Sequence, residues 1–275
     1  MRGLLHRAYM VRFFQILAIF LLPVLLVGGL YVFGLSLPVP HLGRDYVISL
    51  VLPEAGQPLD LPMIYGPPDN SRPLVVIDAG HGGKDPGTVS GGRREKDIVL
   101  ALALELKERL LEEGGIRVAL TREDDTFLVL QERPEIARRM NADLFISLHA
   151  DSAGDYARAS GASVYTLSVV VKNQSDPVND ILVELSQRRV QETSREFGRL
   201  IEREGQGRHR FHSQTQRSAA LAVLRAPDVP AVLFEVGFLT NPEDAERLSS
   251  PEGQEEFAEF VAQAIRVFFA RQSVS

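Results

Sequence analysis

The chain has 275 residues, of which 45% are hydrophobic and 24% charged, a composition typical of globular proteins with a sizeable core. Its formal net charge of −6 argues against nucleic-acid binding, because phosphate contacts require a basic surface. The sequence contains no cysteine, which excludes disulfides, thiolate metal sites and a cysteine nucleophile.

An apolar segment near the N-terminus predicts where the chain is delivered. Residues 13–37 contain no charged side chain and are numerous enough to span a bilayer as a helix. Three arginines precede the segment, so the positive-inside rule keeps the N-terminus in the cytoplasm and exports the rest. A cleaved signal peptide is the alternative, because Gly34 and Ser36 form a small-residue cleavage site. Both interpretations place the C-terminal part outside the cytoplasm.

The composition divides the chain into three predicted segments. Residues 1–37 hold the arginines and the transmembrane anchor or signal segment. Residues 38–73 are rich in proline and show little periodicity, so we predict an extended tether. Residues 74–272 form the predicted folded domain that carries the chemistry.

Short apolar runs alternate with amphipathic segments throughout this domain. The predicted strands are 75–77, 118–121, 144–148, 162–167 and 231–234. The predicted helices are 97–113, 134–140, 181–204 and 257–269. This alternation predicts an α/β domain with a mixed, largely parallel sheet flanked by helices, preceded by the N-terminal apolar helix.

Three of the predicted strands lead into a residue that can bind a metal or move a proton. His81 follows the first strand in a glycine-rich loop, while His149 and Glu235 directly follow strands 144–148 and 231–234. Parallel strands end at the same edge of a sheet, so we expect these side chains to converge. Two imidazoles and one carboxylate with an open fourth position are the ligands of a catalytic zinc site. A second carboxylate would then serve as the general base for amide hydrolysis.

The pattern alone leaves the roles of two acidic residues open. Glu95 begins the predicted helix 97–113, where a carboxylate also interacts favourably with the helix dipole. Glu235 has the alternative of pairing with an arginine such as Arg122. Each histidine taken singly is also compatible with a hydrogen-bonded structural role. Two acids therefore compete for one ligand position.

Four motifs in order resemble the zinc-dependent N-acetylmuramoyl-L-alanine amidases, the type 3 family of bacterial cell-wall and cell-division amidases. They are residues 76–87, 94–96, 146–151 and 230–242, and the resemblance covers approximately residues 74–270. Four motifs in the family's order make the resemblance specific.

The resemblance assigns roles to the candidate site residues. It implies that His81, Glu95 and His149 bind Zn²⁺ and that Glu235 is the catalytic carboxylate. Residues 74–272 would then be a catalytic zinc amidase domain. Its substrate would be the amide bond between N-acetylmuramic acid and L-alanine in peptidoglycan.

The same resemblance implies a setting for the protein. Its role would be cell-wall remodelling or daughter-cell separation in the periplasm, where a protein activator is a candidate partner whose need the sequence leaves open. The apolar segment 13–37 would leave the protein either tethered to the inner membrane or secreted after signal cleavage. The alternatives are a non-catalytic peptidoglycan-binding or regulatory module and a zinc peptidase that trims stem peptides.

Four further polar residues are secondary candidates. His209 and His212 lie in the basic segment 208–217, where we predict a solvated loop, the alternative being a metal-binding pair. Asp78 and Asp151 each lie close in sequence to a candidate histidine. They are predicted either to orient that histidine or to form part of a turn.

Overall fold

The computed structural model describes residues 60–151, 159–168, 177–226 and 228–273. No helix within these ranges is long and apolar enough to cross a membrane. The predicted apolar helix at 13–37 and the tether as far as residue 59 lie outside the described residues.

Eight strands form the β-structure of the described residues. They are β1 (Leu74–Ala79), β2 (Val89–Ser90), β3 (Arg93–Arg94), β4 (Arg117–Leu120), β5 (Leu144–Asp151), β6 (Ala162–Leu167), β7 (Phe211–Ala219) and β8 (Ala231–Phe238). Six of them form one sheet in the order β4-β1-β5-β8-β6-β7, and β2 and β3 form a separate antiparallel pair. Strands β4, β1, β5 and β8 are mutually parallel, β6 is antiparallel to β8, and β7 is parallel to β6. The predicted mixed, largely parallel sheet is confirmed.

Within the described ranges, five α-helices connect or follow these strands. They are α1 (Glu95–Glu113), α2 (Glu132–Arg139), α3 (Pro177–Gly205), α4 (Pro242–Ser249) and α5 (Pro251–Gln272). Helix α1 ends at Glu113 and is followed by Gly114, whose φ of +72° lies in the left-handed region that glycine adopts readily. All four helices predicted from periodicity are present; each begins two to six residues earlier than predicted, and α2 ends one residue earlier.

The sheet is buried on both faces, which explains why its central strands are continuous apolar runs. Along β1, Val75 and Ile77 join the core packed against α1, α3 and α5, whereas Leu74 and Val76 join the core on the α2 side. Every residue of β1 is buried. Helices on both sides of a parallel sheet remove the polar alternation that a half-exposed strand would show.

Residues 60–73 lie along the outer edge of the sheet. Tyr65 forms two backbone hydrogen bonds with Val118 of β4, at 2.8 and 3.0 Å, and its hydroxyl donates to Glu123. Arg117 donates to the carbonyl of Arg72. The described end of the proline-rich segment is therefore attached to the domain through β4.

Four of these strands and helices were not anticipated from the sequence: the short strands β2 and β3, strand β7 and helix α4. The segment 208–217, predicted as a solvated loop, contains most of β7, so that prediction is wrong. The polar sequence of β7 shows no regular apolar alternation, because only part of this edge strand is buried. Helix α4 is short and is defined by its start: Pro242 occupies the first turn, and the side chain of Asn241 accepts from two backbone amides.

Candidate metal centre

The loop that follows β1 places His81 in an unusual backbone conformation. His81 has a φ of +60°, in the left-handed region that residues other than glycine seldom occupy. The backbone of Gly82 and Asp85 forms two reciprocal hydrogen bonds, at 3.0 and 3.1 Å, that close a tight turn immediately after it. Outliers of this kind persist only where the surroundings enforce them, and they cluster at functional sites.

Two glycines of this loop leave room for the side chains of the site. A Cβ atom added to Gly80 would lie 2.4 Å from Cε1 of His149. A Cβ atom added to Gly87 would lie 2.6 Å from both the Glu95 carboxylate and the His81 ring. Contacts this short do not occur between real atoms, so the three side chains converge only because these positions lack a Cβ.

Three potential metal ligands meet in this space. Oε1 of Glu95 lies 2.9 Å from Nε2 of His81 and 3.1 Å from Nδ1 of His149. The two histidine nitrogens are 3.2 Å apart, and all three donor atoms lie within 4.8 Å of one another. In a tetrahedral zinc site with bonds of about 2.0–2.1 Å, ligand atoms are separated by roughly 3.3 Å. The observed separations fit such an ion.

Hydrogen bonds to other groups orient these donors. Oδ2 of Asp85 lies 2.8 Å from Nδ1 of His81, which leaves Nε2 of that ring to face the other donors. Oε1 of Glu95 accepts from the backbone amide of Ala150, and Oε2 accepts from that of Thr88. Glu95 is also the first residue of α1, so it occupies the predicted helix start and reaches the histidines from there.

The protonation preferences of the cluster match a cation site. Burial alone would raise the pKa of Glu95, but hydrogen bonds from His149 and His81 outweigh burial and hold that pKa far below its usual range. Burial would lower the pKa of His81, but its hydrogen bonds to Glu95 and Asp85 raise it above the ordinary value. The Glu95 carboxylate is therefore ionised, and positive charge is favoured among the three potential metal-ligand atoms.

Glu235 lies beside this cluster on the neighbouring strand. It is paired in register with His149 across the parallel strands β5 and β8, and with Ser163 across β6. Adjacent strands are about 4.8 Å apart, and residues in register project from the same face of a sheet. The two competing acids thus occupy different places: Glu95 lies among the histidine donors, and the half-buried Glu235 lies next to them.

Asp78 does not orient His81, although the sequence offered it for that purpose. Its buried carboxylate accepts hydrogen bonds from Thr121, Ser147 and Arg133, each at 2.7 Å. The partner of His81 is instead Asp85, which sequence reasoning had not singled out. Its position four residues after His81 in a glycine loop was the available signal. The side chain of Asp151 lies outside the described residues.

His209 is part of the hydrophobic core, which corrects the solvated-loop interpretation. Its side chain is 6% exposed, Nε2 lies 2.8 Å from the carbonyl oxygen of Val236, and its ring packs against Phe260. Burial, followed by the positive charge of Arg247, lowers the pKa of His209 to about 4. His212 lies on β7, where its Nδ1 is 3.0 Å from the guanidinium of Arg217.

The fold and the donor set define a class: α/β proteins with a His-Glu-His group at the carboxyl edge of a largely parallel sheet, suited to metal-dependent hydrolysis. Within that class, the chain belongs to the N-acetylmuramoyl-L-alanine amidase family, whose model matches residues 75–267. The resemblance and enzyme class inferred from the four sequence motifs are confirmed.

Individual relatives support this membership. The chain is 33% identical over 230 residues to amidase AmiC of Escherichia coli, covering 74% of this chain and 55% of AmiC. It is 35% identical over 224 residues to amidase AmiA of Salmonella typhimurium, covering 72% of this chain and 77% of AmiA. The chain thus spans little more than half the length of AmiC.

Solved structures share the fold. Amidase AmiC2 of Nostoc punctiforme superposes with a TM-score of 0.57 at 34% identity, covering 72% of this chain and 97% of that chain. The CwlD amidase of Clostridioides difficile, solved in complex with the GerS lipoprotein, superposes with a TM-score of 0.55 at 25% identity. It covers 72% of this chain and 98% of CwlD.

Proposed function

We propose that this chain is a zinc-dependent amidase that hydrolyses the bond between N-acetylmuramic acid and L-alanine in peptidoglycan. The observation that carries the proposal is the convergence of His81, Glu95 and His149 beside Glu235. Membership of the N-acetylmuramoyl-L-alanine amidase family supports the choice of substrate.

The three donors suit Zn²⁺ in chemistry and number. Two imidazole nitrogens and one carboxylate oxygen form a three-protein-ligand set that leaves one position open, as in catalytic rather than structural zinc sites. A zinc ion held there would lower the pKa of water to about 7 and polarise the amide carbonyl. Asp85 would keep Nε2 of His81 directed at the ion, and the amides of Ala150 and Thr88 would hold the Glu95 carboxylate.

Glu235 is assigned the proton transfers. Its carboxylate would accept the proton of the attacking water and deliver it to the departing amine nitrogen of L-alanine. Register pairing with His149 supports this role, because it places the carboxylate one strand from the donor cluster. The residue as a whole is half-buried rather than enclosed in the core.

The setting of the reaction follows from the substrate. Peptidoglycan lies outside the cytoplasmic membrane, so we place the enzyme in the periplasm, exported by the apolar segment 13–37 and either tethered or released. Cell-wall remodelling or daughter-cell separation is the proposed role. A relative, CwlD, was solved in complex with a lipoprotein, which supports the proposal that this chain also binds a protein partner, and we assign that partner the role of activator.

Digestion of purified peptidoglycan tests the proposal. Full-length protein would be incubated with sacculi as purified, after chelation, and after chelation followed by Zn²⁺ or Mg²⁺, and released products identified by mass. We expect intact stem peptides that begin with L-alanine, lost on chelation and restored by Zn²⁺. Shortened stems would indicate a zinc peptidase, and zinc-loaded protein that binds sacculi without releasing anything would indicate a wall-binding module.

A further inference from the structure

Two buried arginines lie beneath the glycine loop and have no part in the chemistry proposed above. Arg122 follows β4 and Arg133 lies in α2, and each residue is 4% exposed. Neither lies near His81 in sequence. Both nevertheless direct their guanidinium groups at the backbone of the loop that carries it.

Arg133 contacts the strand end and the backbone of His81. Its Nη1 donates to Oδ1 of Asp78 at 2.7 Å and to the carbonyl of Ala79 at 2.8 Å. Its Nη2 donates to the carbonyl of His81 at 2.6 Å. The same nitrogen donates to the carbonyl of Leu128 at 3.3 Å.

Arg122 contacts the same stretch of backbone. Its Nε donates to the carbonyl of Ala79 at 2.9 Å, and Nη2 donates to the carbonyl of Gly80 at 2.8 Å. Further bonds from Arg122 reach the carbonyls of Lys96 and Asp124. Together the two arginines satisfy three successive carbonyl oxygens, those of residues 79, 80 and 81.

These contacts determine the orientation of the ligand loop. A guanidinium group is planar and presents its donors in a fixed fork, so each bond constrains the direction of a peptide plane. Fixing consecutive peptide planes sets the backbone torsions between them, including the left-handed conformation of His81. Lysine is a point donor on a flexible stem and would not impose the same constraint.

Asp78 holds the arginine fork in place. Its carboxylate is fully buried, and two hydroxyls, from Thr121 and Ser147, share it with Arg133. Burial alone would raise the pKa of Asp78, but the charge of Arg133 and these hydrogen bonds lower it. The pair is therefore an ionised and fully hydrogen-bonded anchor at the end of β1.

We propose that Arg122 and Arg133 are positioning residues that hold the His81 loop in its metal-binding geometry before any metal arrives. This inference rests on the proposed metal centre. In this proposal the two arginines increase the affinity of the site for metal, and they take part in no step of the reaction. A preformed site binds more tightly because ordering the loop no longer opposes binding.

Hydrogen exchange on the unaltered full-length protein gives the first test. In metal-free protein, we expect the amides of Gly80, Gly82 and Asp85 to be protected well above the level of an open loop. Each of these amides donates to a backbone carbonyl in the structure, at 3.0 to 3.1 Å. Rapid exchange without metal, with protection appearing only after Zn²⁺ is added, would overturn the proposal.

Arginine-to-lysine variants give the second test. Arg122→Lys and Arg133→Lys keep the charge and remove the fork, and we expect each to weaken Zn²⁺ binding about 10–100-fold in competition with a chelator. Arg117→Lys is the matched control, because Arg117 also donates to backbone carbonyls, those of Asn70 and Arg72, at the opposite end of β4. We expect its zinc affinity to stay within about twofold of the unaltered protein.

Thermal unfolding of the metal-free proteins shows whether each variant is folded, so that a loss of zinc affinity is not mistaken for a loss of the fold. Folded Arg122→Lys and Arg133→Lys proteins that bind zinc as tightly as the unaltered chain would overturn the proposal, whatever their melting temperatures. Unaltered protein that binds no zinc would overturn the metal centre itself and this inference with it. If neither variant folds, the exchange experiment on the unaltered protein decides the question.

Discussion

Oδ2 of Asp85 lies 2.8 Å from Nδ1 of His81, and the same glycine loop carries both residues. A carboxylate on one nitrogen of a metal-binding imidazole fixes the ring orientation and directs the other nitrogen at the ion. Here that other nitrogen is the one that faces Glu95 and His149. A stretch of five residues therefore supplies both a proposed ligand and the group that orients it.

The first prediction concerns this pair. The Asp85→Ala protein should fold, because the Asp85 side chain is 45% exposed, but its zinc affinity should fall about 10–100-fold. Competition with a chelating dye would measure the change. Asp69→Ala is the control, since Asp69 is similarly exposed and its carboxylate bonds only within its own turn, to Ser71 and Arg72. Unchanged affinity in Asp85→Ala would refute the orienting role.

The second prediction separates the two acids of the site. Glu235→Gln should bind one equivalent of zinc and lose about 10²–10⁴-fold in turnover of peptidoglycan, because the amide cannot accept the proton of water. Metal content and stem-peptide release would be measured on the same preparation. Glu95→Gln serves as the contrast and should lose zinc affinity, since its carboxylate lies among the donors. Near-normal turnover by Glu235→Gln would remove Glu235 from the mechanism.

The third prediction concerns the space left by glycine. Gly80→Ala should abolish tight zinc binding, because the new methyl group would lie 2.4 Å from the His149 ring and displace it. Gly198→Ala in α3 is the control, because the new methyl group there chiefly meets the movable end of the Gln216 side chain, at 2.7 Å. Alanine also favours helix over glycine by about 1 kcal/mol. Equal zinc affinities in the two variants would contradict the steric argument.

The fourth prediction concerns the pH dependence of stability. The folded-state pKa of His209 is about 4, below the value of about 6.5 expected when unfolded, so its contribution is present above pH 6.5 and falls as pH drops toward 4. Between pH 7 and pH 5 this group should remove about 2 kcal/mol from the free energy of unfolding. Urea denaturation of the unaltered protein and His209→Gln would measure the difference. Parallel pH profiles for the two proteins would show that His209 does not titrate on unfolding.

Sequence reasoning succeeded where one strong local signal decided the structure. Strands β1, β5 and β8 are apolar runs buried on both faces, and the prediction that His149 and Glu235 emerge at one edge required that these strands be parallel. The order of the strands also had to bring β5 next to β8, a long-range pairing that no local pattern records. The role of Glu95 remained open from spacing because a helix start is equally favourable for a carboxylate without metal.

Sequence reasoning failed where burial depended on distant partners. The sequence predicts a solvated His209 because arginines flank it along the chain. In the structure, aromatic residues such as Phe234 of β8 and Phe260 of α5 lie around its ring. The segment 208–217 reads as a loop because its side chains are polar, yet its backbone pairs with β6. In both cases, contacts with distant parts of the chain outweighed local polarity.

The sequence by itself determined most of the elements, the family and the residues that meet at the sheet edge, because buried strands, amphipathic helices and glycine loops leave periodic and compositional signals. Spacing left the places of the two acids open, and the family resemblance implied them. Only the tertiary structure showed that Asp85 is the carboxylate beside His81 and that two buried arginines donate to the backbone of its loop. Those choices depend on distances of about 3 Å between groups that strand order and loop torsions bring together, and hydrogen bonds this short leave no periodic trace in a sequence.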